Sequence, residues 1–304
     1  MDTPAPASPL PPRYPVAIIG AGALGLSFAA RLAQAGNTAV IARDGERARS
    51  LRRGIPVGGR LLRLDVFGAE ETPEADWVIV LVKTGDTAAA AATAMAMRPK
   101  GVLSLQNGLV EALLPTAGPA LTVGQGVTTE GAYRDAHGVH PSGAGETLLP
   151  PGFETLAALL VAAGFVARIE PDIAQARLAK LLVNAAINPL AALFRVPNGA
   201  LLNPPHRLLL DTLVREALPV LQAHGLALDE AAALARVHGV ATATAGNRAS
   251  MLQDILAGRR TEIDAITGVL LRMPTPAGVA LPTHQALHTL VRTIEQAAPD
   301  SRGG

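Results

Sequence analysis

"VAIIGAGALGLSFAARLAQAGNTAVIAR", residues 16 to 43, sets the architecture of this chain. Its first five residues end a β-branched run that reads as a buried strand. "LGLSFAARLAQAG" (24 to 36) has the period of an amphipathic helix closed by Gly36, and "TAVIAR" (38 to 43) is the next strand. Strand, helix and strand in that order predict two parallel neighbours joined by a crossover. Further strands are expected at "RLLRLDVFG" (60 to 68), "WVIVLV" (77 to 82) and "GVLSLQ" (101 to 106), with a helix over 87 to 97. Residues 121 to 150 are Gly-rich and suggest paired strands around a turn at Asp135 to Gly138. After a helix at "FETLAALLVAAG" and a short strand at "FVARIE", strand signals stop near Pro171. Helical periodicity then covers 172 to 194, 205 to 224, 227 to 257 with a break near Gly239, 261 to 272, and 283 to 297. The expected fold is an α/β domain with a mostly parallel sheet (14–171) followed by an all-α domain (172–304). A Pro-rich leader (1–13) precedes them and reads as disordered.

The totals narrow the function classes. With 304 residues and 49% hydrophobic content the chain can fill real cores. Its 26 basic and 25 acidic residues leave a net charge of +1, which offers no electrostatic footprint for nucleic acid or an anionic membrane. Small molecules are the expected partners. Cysteine is absent, so disulfides and thiolate chemistry are excluded, and a cytoplasmic setting is expected. The first residues lack a basic start and an apolar run, so no signal peptide is read there. The longest uncharged stretch, 112 to 129, is interrupted by Pro115, Gly118 and Pro119, and no membrane span is expected. Only three of the basic residues are lysines, at 83, 100 and 180, so each invites the question of why an ammonium replaced a guanidinium.

"GAGALG" (Gly20, Ala21, Gly22, Ala23, Leu24, Gly25) has the spacing G-x-G-x-x-G between a strand and a helix. The first glycine suits a tight turn, the second lets a pyrophosphate approach the backbone, and the third lets helix and strand pack closely. Helix N-terminal N–H groups complete an anion site. This is a dinucleotide-binding fingerprint. At the end of the second strand Arg43 would pair with the 2′-phosphate of NADP, whereas Asp44 could serve the ribose of NAD, so NADP is the favoured cofactor. Lys83 and Asn107 follow two other strands, at the carboxyl edge where ligands bind. Lys83 could contact cofactor phosphate, order its loop, or simply snorkel at the surface. Asn107 could face nicotinamide and substrate, or belong to an ordinary turn.

In "KLLVNAAINPLAAL" (180 to 193) Lys180, Asn184 and Asn188 are spaced four apart. They form one helical stripe about 12 Å long. Facing apolar core, an unpaired ammonium and two amides would each cost kilocalories, so the stripe must face water, a partner or a cleft. Carbonyl reduction needs a hydride and a proton, and Lys180 could supply the proton while the amides position the substrate. In "NRASMLQDILAGRRTEID" (247 to 264) Gly258 stops a helix and Thr261 can cap the next, with Asp264 in its first turn. Ser250 could bind a carboxylate. Glu262 could pair with an ammonium or a hydroxyl, although local chemistry favours a first-turn acid that compensates the helix dipole. His284 and His288 lack a third ligand, and no metal site is expected.

Taken together, "GAGALG", Arg43, "VKT" (82 to 84), "QNG" (106 to 108), "KLLVNAAINPLAAL" and "SMLQDILAGRRTEIDAITG" (250 to 268) resemble the ketopantoate reductase family. The resemblance runs from about residue 14 to 297. It implies a Rossmann domain, a helical C-terminal domain, NADPH as reductant, and reduction of ketopantoate to pantoate in pantothenate and coenzyme A synthesis. Carried over by motif, Lys180 resembles the general acid and Glu262 the carboxylate beside it. Asn107, Asn184, Asn188, Asn247 and Ser250 resemble substrate contacts, and Arg43 and Lys83 resemble NADP-phosphate contacts. Two alternatives stay open: a reductase of another small 2-oxo acid, and a catalytically silent NADP-binding sensor. A homodimer is also left open.

Overall fold

The computed structural model describes residues 13–142 and 145–297. Residues 1–12 of the expected leader lie outside them. Arg13, also read as leader, instead belongs to the fold, where its guanidinium donates to Asp76 (2.6 Å) and Glu74 (3.0 Å). The chain forms two compact units. One comprises the residues up to Gln106 with Glu111–Pro171; the other comprises Asn107–Val110 with the residues from Asp172 on.

In chain order the first unit contains β1 (Tyr14–Ile19), α1 (Ala23–Ala35), β2 (Thr38–Ala42), α2 (Gly45–Arg52), β3 (Ile55–Val57), β4 (Arg60–Leu62), β5 (Asp65–Gly68), β6 (Ala75–Val80), α3 (Thr87–Ala96), β7 (Gly101–Ser104) and β8 (Thr122–Gln125). β9 (Val127–Thr128), β10 (Ala132–Asp135), β11 (Gly138–Pro141), β12 (Glu146–Leu149), α4 (Glu154–Ala162) and β13 (Val166–Ile169) complete it. The main sheet has the order β5-β2-β1-β6-β7-β8 with every pair parallel. That is the doubly wound order, and it reverses direction beside β1. All five residues of β2 are buried, as expected for a parallel strand covered on both faces.

Two small sheets adjoin it in sequence, β10-β11-β3-β4 and β13-β12-β9. The hairpin expected near Asp135 to Gly138 is β10 paired with β11, with Asp135 opposite Gly138. The single strand expected over 60 to 68 is two. β4 pairs with β3, whereas β5 joins the edge of the main sheet beside β2. Apolar content alone could not reveal that split, because both halves are strand-like and differ only in their distant partners. α2 was not anticipated, since of its eight residues only Ala48 and Leu51 are buried and too little apolar period remains to read.

The second unit contains α5 (Ile173–Phe194), α6 (His206–Ala223), α7 (Glu230–Ala243), α8 (Ser250–Leu256), α9 (Ile263–Arg272) and α10 (Pro282–Ala297). Asp172 caps α5 by accepting from the Gln175 N–H, and Arg195 ends it in the left-handed region at φ 54°. α5 is long and apolar enough to cross a bilayer by length and composition, yet 72% of that stretch is buried. Leu181, Leu182, Ala185, Ile187 and Leu190 place it in one apolar core with Leu213, Val214 and Leu221 of α6, Val237 of α7, Ile266 of α9 and Val291 of α10. The break between α7 and α8 falls at 244–249 rather than near Gly239. Gly239 is exposed on α7, where an interior glycine costs only about 1 kcal/mol and does not end a packed helix.

Candidate active site

The turn after β1 runs against the end of β6. Gly20 has φ +123°, and a Cβ there would lie 2.7 Å from the Leu81 carbonyl group. A Cβ on Gly25 would lie 1.9 Å from the Gly20 oxygen, so α1 packs onto the turn only with glycine. Around Gly22, by contrast, a Cβ would meet nothing within 4 Å. Gly22 is the N-cap of α1, with no side-chain cap and no acid in the first turn, and it is exposed. The result is an open backbone surface at the positive end of a helix, at the point where strand order reverses, which fits a dinucleotide pyrophosphate. Ala21, Ala23 and Leu24 line the same turn, partly exposed.

Arg43 and Asp44 have different environments. One Asp44 oxygen caps α2 by accepting from the Arg47 N–H (2.7 Å), and the other accepts from Arg43 Nε (3.1 Å). The Arg43 side chain is 88% exposed. The carboxylate is engaged locally while the guanidinium remains accessible, an arrangement that fits a ribose 2′-phosphate better than a ribose hydroxyl.

Lys83 is exposed and follows β6 by three residues. Behind its loop lies a buried network that the sequence reading missed. Gln106 Nε2 donates to the Val82 carbonyl (2.9 Å) and to Thr87 Oγ1 (2.8 Å), and its Oε1 accepts from Ser104 Oγ (3.0 Å). Gln106 is 5% exposed, and Thr87 and Ser104 are fully buried. Gln106 thus ties the loop carrying Lys83 to the end of β7. The available signal was a glutamine immediately after an apolar strand, where a core amide must be satisfied.

In the helical unit Lys180, Asn107 and Glu262 come together. Asn107 Nδ2 donates to Glu262 Oε2 (2.9 Å). Gly108 makes this approach possible: its φ is +76°, and a Cβ there would lie 2.1 Å from the Ala265 oxygen of α9. Burial pushes the Lys180 ammonium down to about pKa 8, and the Glu262 carboxylate acts in the opposite direction. Glu262 is the N-cap residue of α9 but makes no side-chain cap; Thr261 Oγ1 instead accepts from the Ile263 N–H (3.1 Å). Glu262 thus stands at the N-terminal end of α9, as the local reading had it, and also has a tertiary partner in Asn107.

The polar stripe of α5 is not a solvent face. Lys180 and Asn184 are half-buried and Asn188 is 7% exposed. Asn247 and Ser250 are exposed, and Ser250 opens α8. Asn247 is tied through its backbone, its carbonyl accepting from the Asn198 N–H (3.0 Å). Among the described residues no group of three or more His, Asp or Glu could hold a metal ion. A buried ammonium near neutral pKa, a carboxylate and several amides are together equipped to bind a small polar carbonyl compound and give it a proton.

Two family models match the chain: "Ketopantoate reductase PanE/ApbA" over residues 16–152 and "Ketopantoate reductase PanE/ApbA C terminal" over 172–295. A 2-dehydropantoate 2-reductase of Archaeoglobus fulgidus is 34% identical over 291 residues, covering 92% of this chain and 97% of the relative. Among solved structures, a ternary complex of D-mandelate dehydrogenase with NADH and anilino(oxo)acetate is similar with TM-score 0.82 and 25% identity, covering 93% of this chain and 98% of that one. A dimeric ketopantoate reductase from Staphylococcus aureus is similar with TM-score 0.76 and 25% identity, covering 93% and 99%.

Proposed function

Because the chain belongs to the ketopantoate reductase family of pyridine-nucleotide oxidoreductases, we propose that it reduces 2-dehydropantoate to pantoate with NADPH, serving pantothenate synthesis. The observation that carries this reading is the grouping of Lys180, Glu262 and Asn107 in the helical unit, with Lys180 depressed to about pKa 8. The α/β unit is the cofactor domain, through Gly20 to Gly25, Arg43 and Lys83. The helical unit is the substrate domain. When bound, the nicotinamide supplies hydride to the carbonyl carbon. Lys180 donates a proton to the developing alkoxide oxygen, a transfer favoured by a donor whose pKa lies near the working pH. Glu262 holds the ammonium in its charged form and is itself oriented by Asn107. Asn184, Asn188, Asn247 and Ser250 bind the substrate's hydroxyl and carboxylate groups.

Arg43 and the capping role of Asp44 support NADPH over NADH. The test is a panel of 2-oxo acids followed by absorbance with each nicotinamide. Fastest turnover of ketopantoate with NADPH is expected, and turnover of none of the acids would sink the reading in favour of a silent sensor. Likeness to D-mandelate dehydrogenase supports a second reading, a bulkier 2-oxo acid with NADH, which the same panel separates. Likeness to the dimeric S. aureus reductase supports a homodimer, for which light scattering should give twice 31.1 kDa.

A further inference from the structure

Glu262 stands at a break in secondary structure. α8 ends at Leu256, α9 begins at Ile263, and Glu262 itself has φ −100°, ψ 25°. Its carbonyl accepts the first helical bonds of α9, from the Ala265 N–H (3.0 Å) and the Ile266 N–H (3.1 Å), but no helical turn holds the chain on its N-terminal side. The neighbouring residues are held from α10. Thr261, directly before Glu262, donates its N–H to Glu295 Oε1 at 2.6 Å, and the Glu295 side chain is only 5% exposed. On the other side of Glu262, the Asp264 carboxylate accepts from Arg292 (3.0 Å) and shares a hydrogen bond with His288 Nε2 (2.8 Å). Arg292 also lies 3.6 Å from Glu295, which joins the two tethers. His288, Arg292 and Glu295 are spaced by four and three residues, so they occupy one face of α10. α10 is itself anchored, because Glu216 of α6 accepts from Thr283 N, Thr283 Oγ1 and His284 N at its first turn.

We propose that Glu295 is a positioning residue for the reaction: its buried carboxylate, braced by Arg292, holds the Thr261 N–H and so keeps Glu262 aimed at Lys180. This inference rests on the roles proposed above for Lys180 and Glu262. A buried acid taking a main-chain N–H beside a functional carboxylate gives that group a backbone of defined position, and a misplacement of about 1 Å can cost on the order of a hundredfold in rate. The charged and titratable groups on the path are Lys180 from α5, Glu262 and Asp264 beside the break, Arg272 from α9, and His288, Arg292 and Glu295 from α10.

The experiment compares Glu295→Ala and Glu295→Gln in the full chain, measuring kcat against pH with the 2-oxo acid that the panel identifies, the KM for NADPH, and thermal melting. Glu295→Ala should lose about tenfold or more in kcat with the NADPH KM unchanged. Its alkaline limb should move to lower pH, because Lys180 loses part of the carboxylate field that favours its ammonium. Glu295→Gln keeps an acceptor for the Thr261 N–H and should stay within about twofold of the parent. A folded Glu295→Ala variant with the parent's kcat and alkaline limb overturns the inference, as does a Gln variant impaired as much as the Ala variant. Should Glu295→Ala fail to fold, Asp264→Ala removes the more exposed tether; a smaller shift of the limb in the same direction is expected, and no shift overturns the inference. Lys180→Ala separates the two proposals. Wild-type turnover in that variant removes the proposed function and this inference with it, whereas an inactive Lys180→Ala beside an unchanged Glu295→Ala removes only the positioning role.

Discussion

At the scale of the residue, Lys180 has the most demanding chemistry. Its pKa is pushed down to about 8 by burial, with Glu262 acting against the shift. In the proton-donor role proposed for it the amine must be charged, so kcat is expected to be flat at lower pH and to fall as pH rises through about 8. Lys180→Ala should lose about 10²- to 10⁴-fold in kcat while retaining NADPH affinity. Lys180→Arg should be nearly as inactive and lack the limb near 8, since guanidinium does not give up its proton in this range. The same shift affects stability. The folded pKa lies below the unfolded value near 10.5, so the buried ammonium costs stability below about pH 8, and the cost is relieved as pH rises from there towards 10.5. Any melting advantage of Lys180→Met over the parent should therefore shrink across that window, as scanning calorimetry at several pH values would reveal. Arg43→Ala should raise the KM for NADPH about 10- to 100-fold and leave NADH use little changed, the loss expected for a charge-assisted phosphate contact.

At the scale of the element, the loop Asn107–Val110 and helix α5 carry the argument. Gly108 sits at φ +76° with the Ala265 oxygen where a Cβ would go, so Gly108→Ala should destabilise by roughly 1–3 kcal/mol and displace Asn107. Thermal melting reports the first effect and a fall in kcat/KM the second. α5 holds one polar stripe on an otherwise buried surface. Leu182, fully buried on it, should cost about 2–5 kcal/mol when truncated to alanine, measurable by urea unfolding. The stripe itself was legible, because an i, i+4, i+8 pattern on a helix has one geometric meaning. The role proposed for Glu262 is not legible from local sequence, where it looks like any first-turn acid. Its real partners, Asn107 and Lys180, lie 155 and 82 residues away along the chain.

At the scale of the whole molecule, a strand-helix alternation followed by helices alone announced two units of different class. The parallel pairing of β1 and β2 follows from the first βαβ unit, whereas the order of the six strands does not, and β8, from the stretch read as paired strands around a turn, instead joins the main sheet beside β7. Residues 107–110 depart from the expected single boundary at 171, for they sit between two strands of the α/β unit yet pack with the helices. Leu109 joins the helical core, and nothing in "NGLV" distinguishes it from an ordinary loop on the sheet.

What the sequence determined by itself were the features encoded by short-range geometry. The glycine turn, the periods of strand and helix, and the stripe on α5 each depend on residues a few positions apart, so their meaning survives without a fold. Tertiary structure alone decided the pairing of β4 and β5 with different sheets, the commitment of Asp44 to a helix cap beside an accessible Arg43, the bond from Asn107 to Glu262, and the hold of α10 on Thr261 and Asp264. Those outcomes depend on burial and on partners distant in the chain, and desolvation and long-range hydrogen bonds come into being only once the chain is packed.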